Sequence, residues 1–258
     1  MAVALAHAEY GSGSPVIILH GLFGSSRNWT SVAHRLAERF HVFALDLRNH
    51  GASPWSEHMG YRAMAEDVAA FMAAHDLPHA ALLGHSMGGK VAMTLALALP
   101  KLVDRLVVVD IAPVPRPALF APYVEAMCAL DLRGVKRRAD VDALLKRHIA
   151  NDAERQFLLQ NLVPGTEGWH WRLNLNAILA DMDEIADFPE FLPGVAYRGP
   201  TLLIRGGRSD YVADAEMPAF DRLFPNLQEV TIAEAGHWVH ADRPEEYFAA
   251  VLPFLGAT

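Results

Sequence analysis

The chain is poor in cysteine, has no excess of positive charge and lacks any long apolar run. Cys128 is the only cysteine among 258 residues, which excludes an intrachain disulfide and points to a reducing compartment, the cytoplasm. Lys and Arg number 22 against 30 Asp and Glu, a formal net charge of −8; that balance argues against general nucleic-acid binding. No apolar stretch approaches the length of a membrane span. The alanine-rich opening "MAVALAHAEYGSGSP" has no basic n-region, so it reads as a first strand rather than a signal peptide. Repeats and low-complexity tracts are absent too. What remains is apolar bulk: 52% of residues are hydrophobic, enough for one substantial α/β core.

Short apolar runs bounded by turn residues lie at 16–20, 41–46, 80–84, 105–110, 201–206 and 228–233, and each predicts a buried strand. Helical patterns fall between them at about 29–39, 61–76, 87–99, 212–224 and 244–255. This alternation predicts an α/β fold, a mostly parallel sheet with helices on both faces and ligands at the carboxyl ends of the strands. One interval breaks the rhythm. From 113 to 193 every segment reads as helix, entered through "APVPRP" and left through "FPEFLPG". It predicts a helical lid inserted after the sixth strand, with the core formed by 1–112 and 194–258.

The chemistry gathers around "ALLGHSMGGK". Gly84-x-Ser86-x-Gly88, placed between an apolar strand and a helix, fits the nucleophile elbow described for α/β-hydrolases. Ser86 would stand at the apex of a sharp turn, and the Met87 N–H would point from a helix N-terminus toward a developing oxyanion. A serine needs a base and an orienting acid. Among 13 histidines, His237 follows the last strand run and precedes the last helix, the expected place for the base. His240 is its nearest competitor; His85 is expected to support the elbow and His20 to be a buried, hydrogen-bonded residue. Asp110 and Asp210 both end strand runs, and either preserves the order Ser, acid, His. The Leu22 N–H, in "LHGLFGSSRNW", is the second expected oxyanion donor. No metal-ligand cluster stands out.

The strings "LHGLFGSSRNW", "ALDLRNHGAS", "GHSMGGKVAM", "VVVDIAPV", "GPTLLIRGG" and "AGHWVHADRPEEY" closely resemble YbfF-like esterases of the α/β-hydrolase superfamily. The resemblance runs from about residue 15 to the C-terminus. It implies hydrolysis of short-chain esters and acyl-CoA thioesters without a cofactor, and it carries the triad acid to Asp110, with Asp210 kept in the site. Phe23, Tyr123, Tyr211 and Trp238 are the expected substrate-binding aromatics, drawn from a wider set that includes Trp29, Trp169 and Trp171. The basic run 133–148 reads as a solvated helix face, or as a phosphate-attracting patch built on Lys136, Arg137 and Arg138. The same parts would serve C–C hydrolase, lyase or perhydrolase chemistry, and a non-enzymatic binding protein could retain the scaffold. The expected partner is a small acyl ester or thioester, with no nucleic acid and no membrane span; the oligomeric state is left open.

Overall fold

In the computed structural model, residues 1–166 and 168–256 are described. The strands are β1 (His7–Gly11), β2 (Pro15–Leu19), β3 (His41–Leu45), β4 (Ala80–His85), β5 (Val103–Val109), β6 (Leu162–Gly165), β7 (Gly168–Trp171), β8 (Thr201–Gly206) and β9 (Leu227–Ile232). Seven of them form one sheet in the order β1-β3-β2-β4-β5-β8-β9. Only β1 runs antiparallel, against β3; the other neighbours are parallel.

Parallel strands need crossovers, and helices supply them. These are α1 (Thr30–Leu36), α2 (Tyr61–Ala74) and α3 (Met87–Ala98), then the inserted α4 (Ala121–Cys128), α5 (Arg138–Leu145), α6 (Asp152–Leu159), α7 (Leu175–Ala180) and α8 (Met182–Ala186), and finally α9 (Met217–Leu223), α10 (Val239–Asp242) and α11 (Pro244–Gly256). Successive strand side chains face opposite sides of a sheet. Ile17 and Leu19 therefore cluster with Met64 and Val68 of α2 and with Val91 and Leu95 of α3. Val16 and Ile18 cluster with Val32 and Leu36 of α1 and with Val251 and Phe254 of α11. Burial on both faces explains why these strands read as continuous apolar runs.

Five strands precede the insertion, one fewer than expected. Before β1 the ladder to β3 gives out: Ala6 O still accepts from Asp46 N–H at 2.8 Å, but Val3 N–H donates to Asp67 Oδ1 at 2.7 Å and Ala6 N–H to Ser53 Oγ at 2.8 Å. Asp67 also holds Arg48 through bonds of 2.6 and 2.7 Å, both side chains being buried. The interval 113–193 is not all helix either. The antiparallel pair β6–β7 interrupts it, because Pro164, Gly165 and Gly168 terminate helical propensity and Trp169 and Trp171 alternate toward the core. Lys90 ties segments near both ends of this interval to α3, donating to Val114 O, Ala186 O and Asp187 O at 2.9, 3.0 and 2.6 Å. Among the described residues, no helix is long and apolar enough to cross a membrane.

Candidate active site

The site is assembled at the carboxyl ends of five adjacent strands. His85 is the register partner of Val109, so the next residues, Ser86 and Asp110, leave neighbouring strands side by side. Both adopt the left-handed backbone region, with φ of +53° at Ser86 and +52° at Asp110. Such conformations are costly for residues other than glycine and cluster at functional sites. The elbow around Ser86 closes because its glycines have no Cβ. A Cβ on Gly84 would lie 2.2 Å from Gly88 O, and one on Gly88 would lie 2.3 Å from Leu19 O. Ser86 N–H donates to Val109 O at 3.1 Å, and the chain then enters α3 at Met87.

Asp110 is fully buried and accepts three hydrogen bonds. His237 Nδ1–H reaches Oδ2 at 2.8 Å, Gly206 N–H reaches Oδ1 at 2.9 Å, and the Ser209 hydroxyl donates to Oδ2. Asp210 is placed differently from its neighbour Ser209. Its side chain is exposed, and its backbone oxygen accepts from Arg116 Nη2 at 2.8 Å. The loop after β8 thus turns Ser209 inward and Asp210 outward. Of the two acids left open by chain order, Asp110 is the one bonded to His237.

His85 holds His237 from the other side, donating from Nε2 to the His237 carbonyl at 2.9 Å. The Tyr211 ring lies flat on the imidazole, centroids 3.7 Å apart and 16° between planes. His240 is stacked on Trp29 at 4.1 Å. His20 donates from Nδ1 to Gly21 O at 2.8 Å and accepts from Leu47 N–H at 3.0 Å, so it is a hydrogen-bonded structural histidine.

Burial lowers the basicity of His20, His50, His85 and His240, bringing His50 to about 3 and His240 to about 4. In the unfolded chain such groups take up protons near pH ~6.5. The folded form therefore keeps its full advantage above that pH and loses it as the solution is acidified toward the lowered values, at about 1.4 kcal/mol per pH unit for each imidazole. Urea midpoints should fall steeply between about pH 6.5 and about pH 5; a flat profile across that window would contradict neutral burial of these rings.

Two cavities meet at Ser86. The first, about 310 Å³, is lined by His237, Trp238, Phe23, Tyr123, Tyr211, Trp29, Phe120 and Phe157 among others. The second, about 230 Å³, is lined by Leu22, Met87, Lys90, Ile111, Arg116, Tyr211 and residues of the insertion. Phe23, Tyr123, Tyr211 and Trp238, the expected substrate-binding aromatics, all line the first cavity. Trp169 and Trp171 line neither cavity, and Trp171 is packed into the core. Lys136, Arg137 and Arg138 line neither as well. Arg137 pairs with Asp140 at 3.0 Å and Arg138 donates to Leu162 O at 3.0 Å. Sequence reasoning missed Ser209, Phe120, Phe157 and Arg116. The first is an ordinary loop serine, and the others lie in a segment whose path over the sheet no local pattern encodes.

The α/β hydrolase fold family matches residues 14–244. The chain belongs to that family. It is 40% identical over 258 residues to "sn-1-specific diacylglycerol lipase ABHD11" of Danio rerio, covering 95% of this chain and 79% of that protein. It is 34% identical to "Esterase YbfF" of Escherichia coli strain K12, covering 95% and 94% of the two chains. Among solved structures, one titled "Marine microorganism esterase" superposes with a TM-score of 0.95 at 36% identity, covering 98% of this chain and 100% of that one.

Proposed function

We propose that the chain is a serine hydrolase of carboxylic esters, with Ser86 as nucleophile, His237 as general base and acid, and Asp110 as the carboxylate that orients the imidazole. One observation carries the reading: the 2.8 Å His237–Asp110 bond lies beside a serine held at positive φ, with Ser86 and His237 facing one cavity. The names of the relatives, esterase and diacylglycerol lipase, support ester bonds as the target. Ser86 Oγ attacks the acyl carbonyl while His237 Nε2 takes its proton. The tetrahedral oxyanion is met by Met87 N–H, whose place as first residue of α3 leaves it without an acceptor inside the helix. In the facing turn Phe23 N–H is taken by His50 at 3.1 Å and Gly24 N–H by Gly21 O at 2.9 Å, which leaves Leu22 N–H as the second donor. Protonated His237 returns its proton to the leaving oxygen, and water then releases the acid through the same steps.

Residues 113–193 act as the lid over this centre, on a core made of 1–112 and 194–258. Thioesters would undergo the same two steps, since only the leaving atom differs. The test is a panel of p-nitrophenyl esters, acyl-CoA thioesters and diketones, with mass spectrometry after a fluorophosphonate probe. Ester turnover with the probe on Ser86 is expected. Diketone cleavage without ester cleavage would move the reading to C–C hydrolysis, and labelling that survives Ser86→Ala would end it.

A further inference from the structure

The motif "DLRNHG", residues 46–51, and Asn161, just beyond α6, take no part in the chemistry derived above. Both converge on one turn. Residues 21–24 leave β2 beside the elbow: a Cβ on Gly21 would lie 3.2 Å from Ser86 Cβ, and Gly24 N–H closes the turn on Gly21 O at 2.9 Å. Leu22, whose N–H is the second oxyanion donor on the hydrolase reading above, is followed by Phe23 at φ +64°. A bulky residue keeps that left-handed backbone only where its surroundings impose it.

Two side chains impose it, one on the N–H of Phe23 and one on its carbonyl. His50 is wholly buried and donates from Nδ1 to Arg48 O at 2.9 Å, which leaves Nε2 as the acceptor that takes Phe23 N–H at 3.1 Å. Burial lowers its pKa to about 3, so the ring stays neutral and keeps that acceptor at neutral pH. Asn161, also buried, donates from Nδ2 to Phe23 O at 2.8 Å. Together the two bonds fix the peptide planes on either side of Phe23, and the first of these shares Leu22 Cα with the plane that carries Leu22 N–H. The loop of His50 is itself seated by the insertion. Asn174 N–H donates to Asn49 O at 3.1 Å, and Asn174 Nδ2 to Asn49 Oδ1 at 3.2 Å. The insertion thereby reaches the turn twice, directly through Asn161 and indirectly through the His50 loop.

We propose that His50 and Asn161 are positioning residues that hold Leu22 N–H on the oxyanion, so that the insertion completes the oxyanion hole as well as covering it. His50→Phe keeps a flat ring without an acceptor, and Asn161→Asp sets a carboxylate oxygen against Phe23 O. Each should lower kcat on a neutral p-nitrophenyl ester by about 10- to 100-fold, with KM moving by less than about threefold, because a small misplacement of a catalytic group acts on the transition state. A trifluoromethyl ketone, whose adduct with Ser86 puts an oxyanion in the hole, should bind more weakly by the same factor as kcat/KM falls. His50→Gln offers an acceptor again and should recover most of the loss. Melting curves identify the folded variants; if His50→Phe does not fold, the same criteria apply to Asn161→Asp and to the milder Asn161→Ala. Folded variants with kcat within about twofold of the wild type, a loss confined to KM, or an unchanged affinity for the ketone would each overturn the assignment and leave the hydrolase reading intact. A wild-type protein with no ester turnover and no fluorophosphonate on Ser86 defeats the hydrolase reading and this inference with it.

Discussion

Replacing Ser86 by glycine should yield a protein that no longer turns over esters yet unfolds at a higher temperature than the wild type. The elbow holds Ser86 at φ +53° and ψ −122°, a region that costs a non-glycine residue about 1–3 kcal/mol. Glycine adopts it without steric cost, although it gives back about 0.5–1 kcal/mol through the greater freedom of its unfolded chain. The balance favours the variant by about 1 kcal/mol at the middle of these ranges, or a few degrees in Tm for a domain of this size. Ser86→Ala keeps the Cβ and therefore the strain, so its melting temperature should stay near the wild-type value. On the proposed mechanism both variants lack the nucleophile, and kcat should fall by a factor on the order of 10⁶. Calorimetry on the three proteins separates strain from chemistry. If Ser86→Gly melts no higher than Ser86→Ala, the elbow stores no usable strain; if either variant retains turnover, another residue is the nucleophile.

The same backbone tension explains which parts of the molecule were legible in the sequence. The glycines of "GHSMGGK" announce the elbow because only a close approach of backbone to backbone requires them, and Gly84 and Gly88 are in such contact. The central strands were legible because burial on both faces makes them uniformly apolar: β8 coincides with its sequence-predicted run and β2 to β5 and β9 differ from theirs by a residue or two at the ends. Legibility failed where the answer is non-local. Chain order leaves Asp110 and Asp210 equivalent, since each follows a strand. Their difference comes from the sheet order, which sets β5 beside β4, and from the loop after β8, which directs Ser209 rather than Asp210 toward the carboxylate. Only the resemblance of "VVVDIAPV" pointed to Asp110. The hairpin β6–β7 was missed for a related reason: four-residue strands carry too few alternations to stand out among flanking helices. Arg116, which lines the second cavity, carries no signal in its neighbours "VPRPA", because its guanidinium contacts, to Asp210 O and Glu216 Oε2, lie far along the chain.

Asp110→Asn should lower kcat by about 10⁴-fold, whereas Asp210→Asn should stay within about threefold of the wild type. The asymmetry follows from hydrogen-bond capacity. Asp110 is surrounded entirely by donors, namely His237 Nδ1–H, Gly206 N–H and Ser209 O–H. A carboxylate accepts from all three; an amide has one acceptor oxygen and presents its own protons on the other side. Turned toward His237, that NH₂ group makes Nδ1 an acceptor and moves the ring proton to Nε2. There it faces Ser86 as a donor and cannot take the hydroxyl proton, so the loss falls on kcat rather than on KM. Turned the other way, the amide sets its protons against Gly206 N–H and leaves a buried donor unpaired, which should appear as a lower Tm. Asp210 offers neither route, because its exposed carboxylate is not hydrogen-bonded to His237. Steady-state kinetics with a neutral p-nitrophenyl ester, read beside the two melting curves, distinguishes these cases. If Asp210→Asn carried the large loss and Asp110→Asn the small one, the 2.8 Å bond would be structural, and the loop after β8 would have to rearrange during turnover to bring Asp210 to the imidazole.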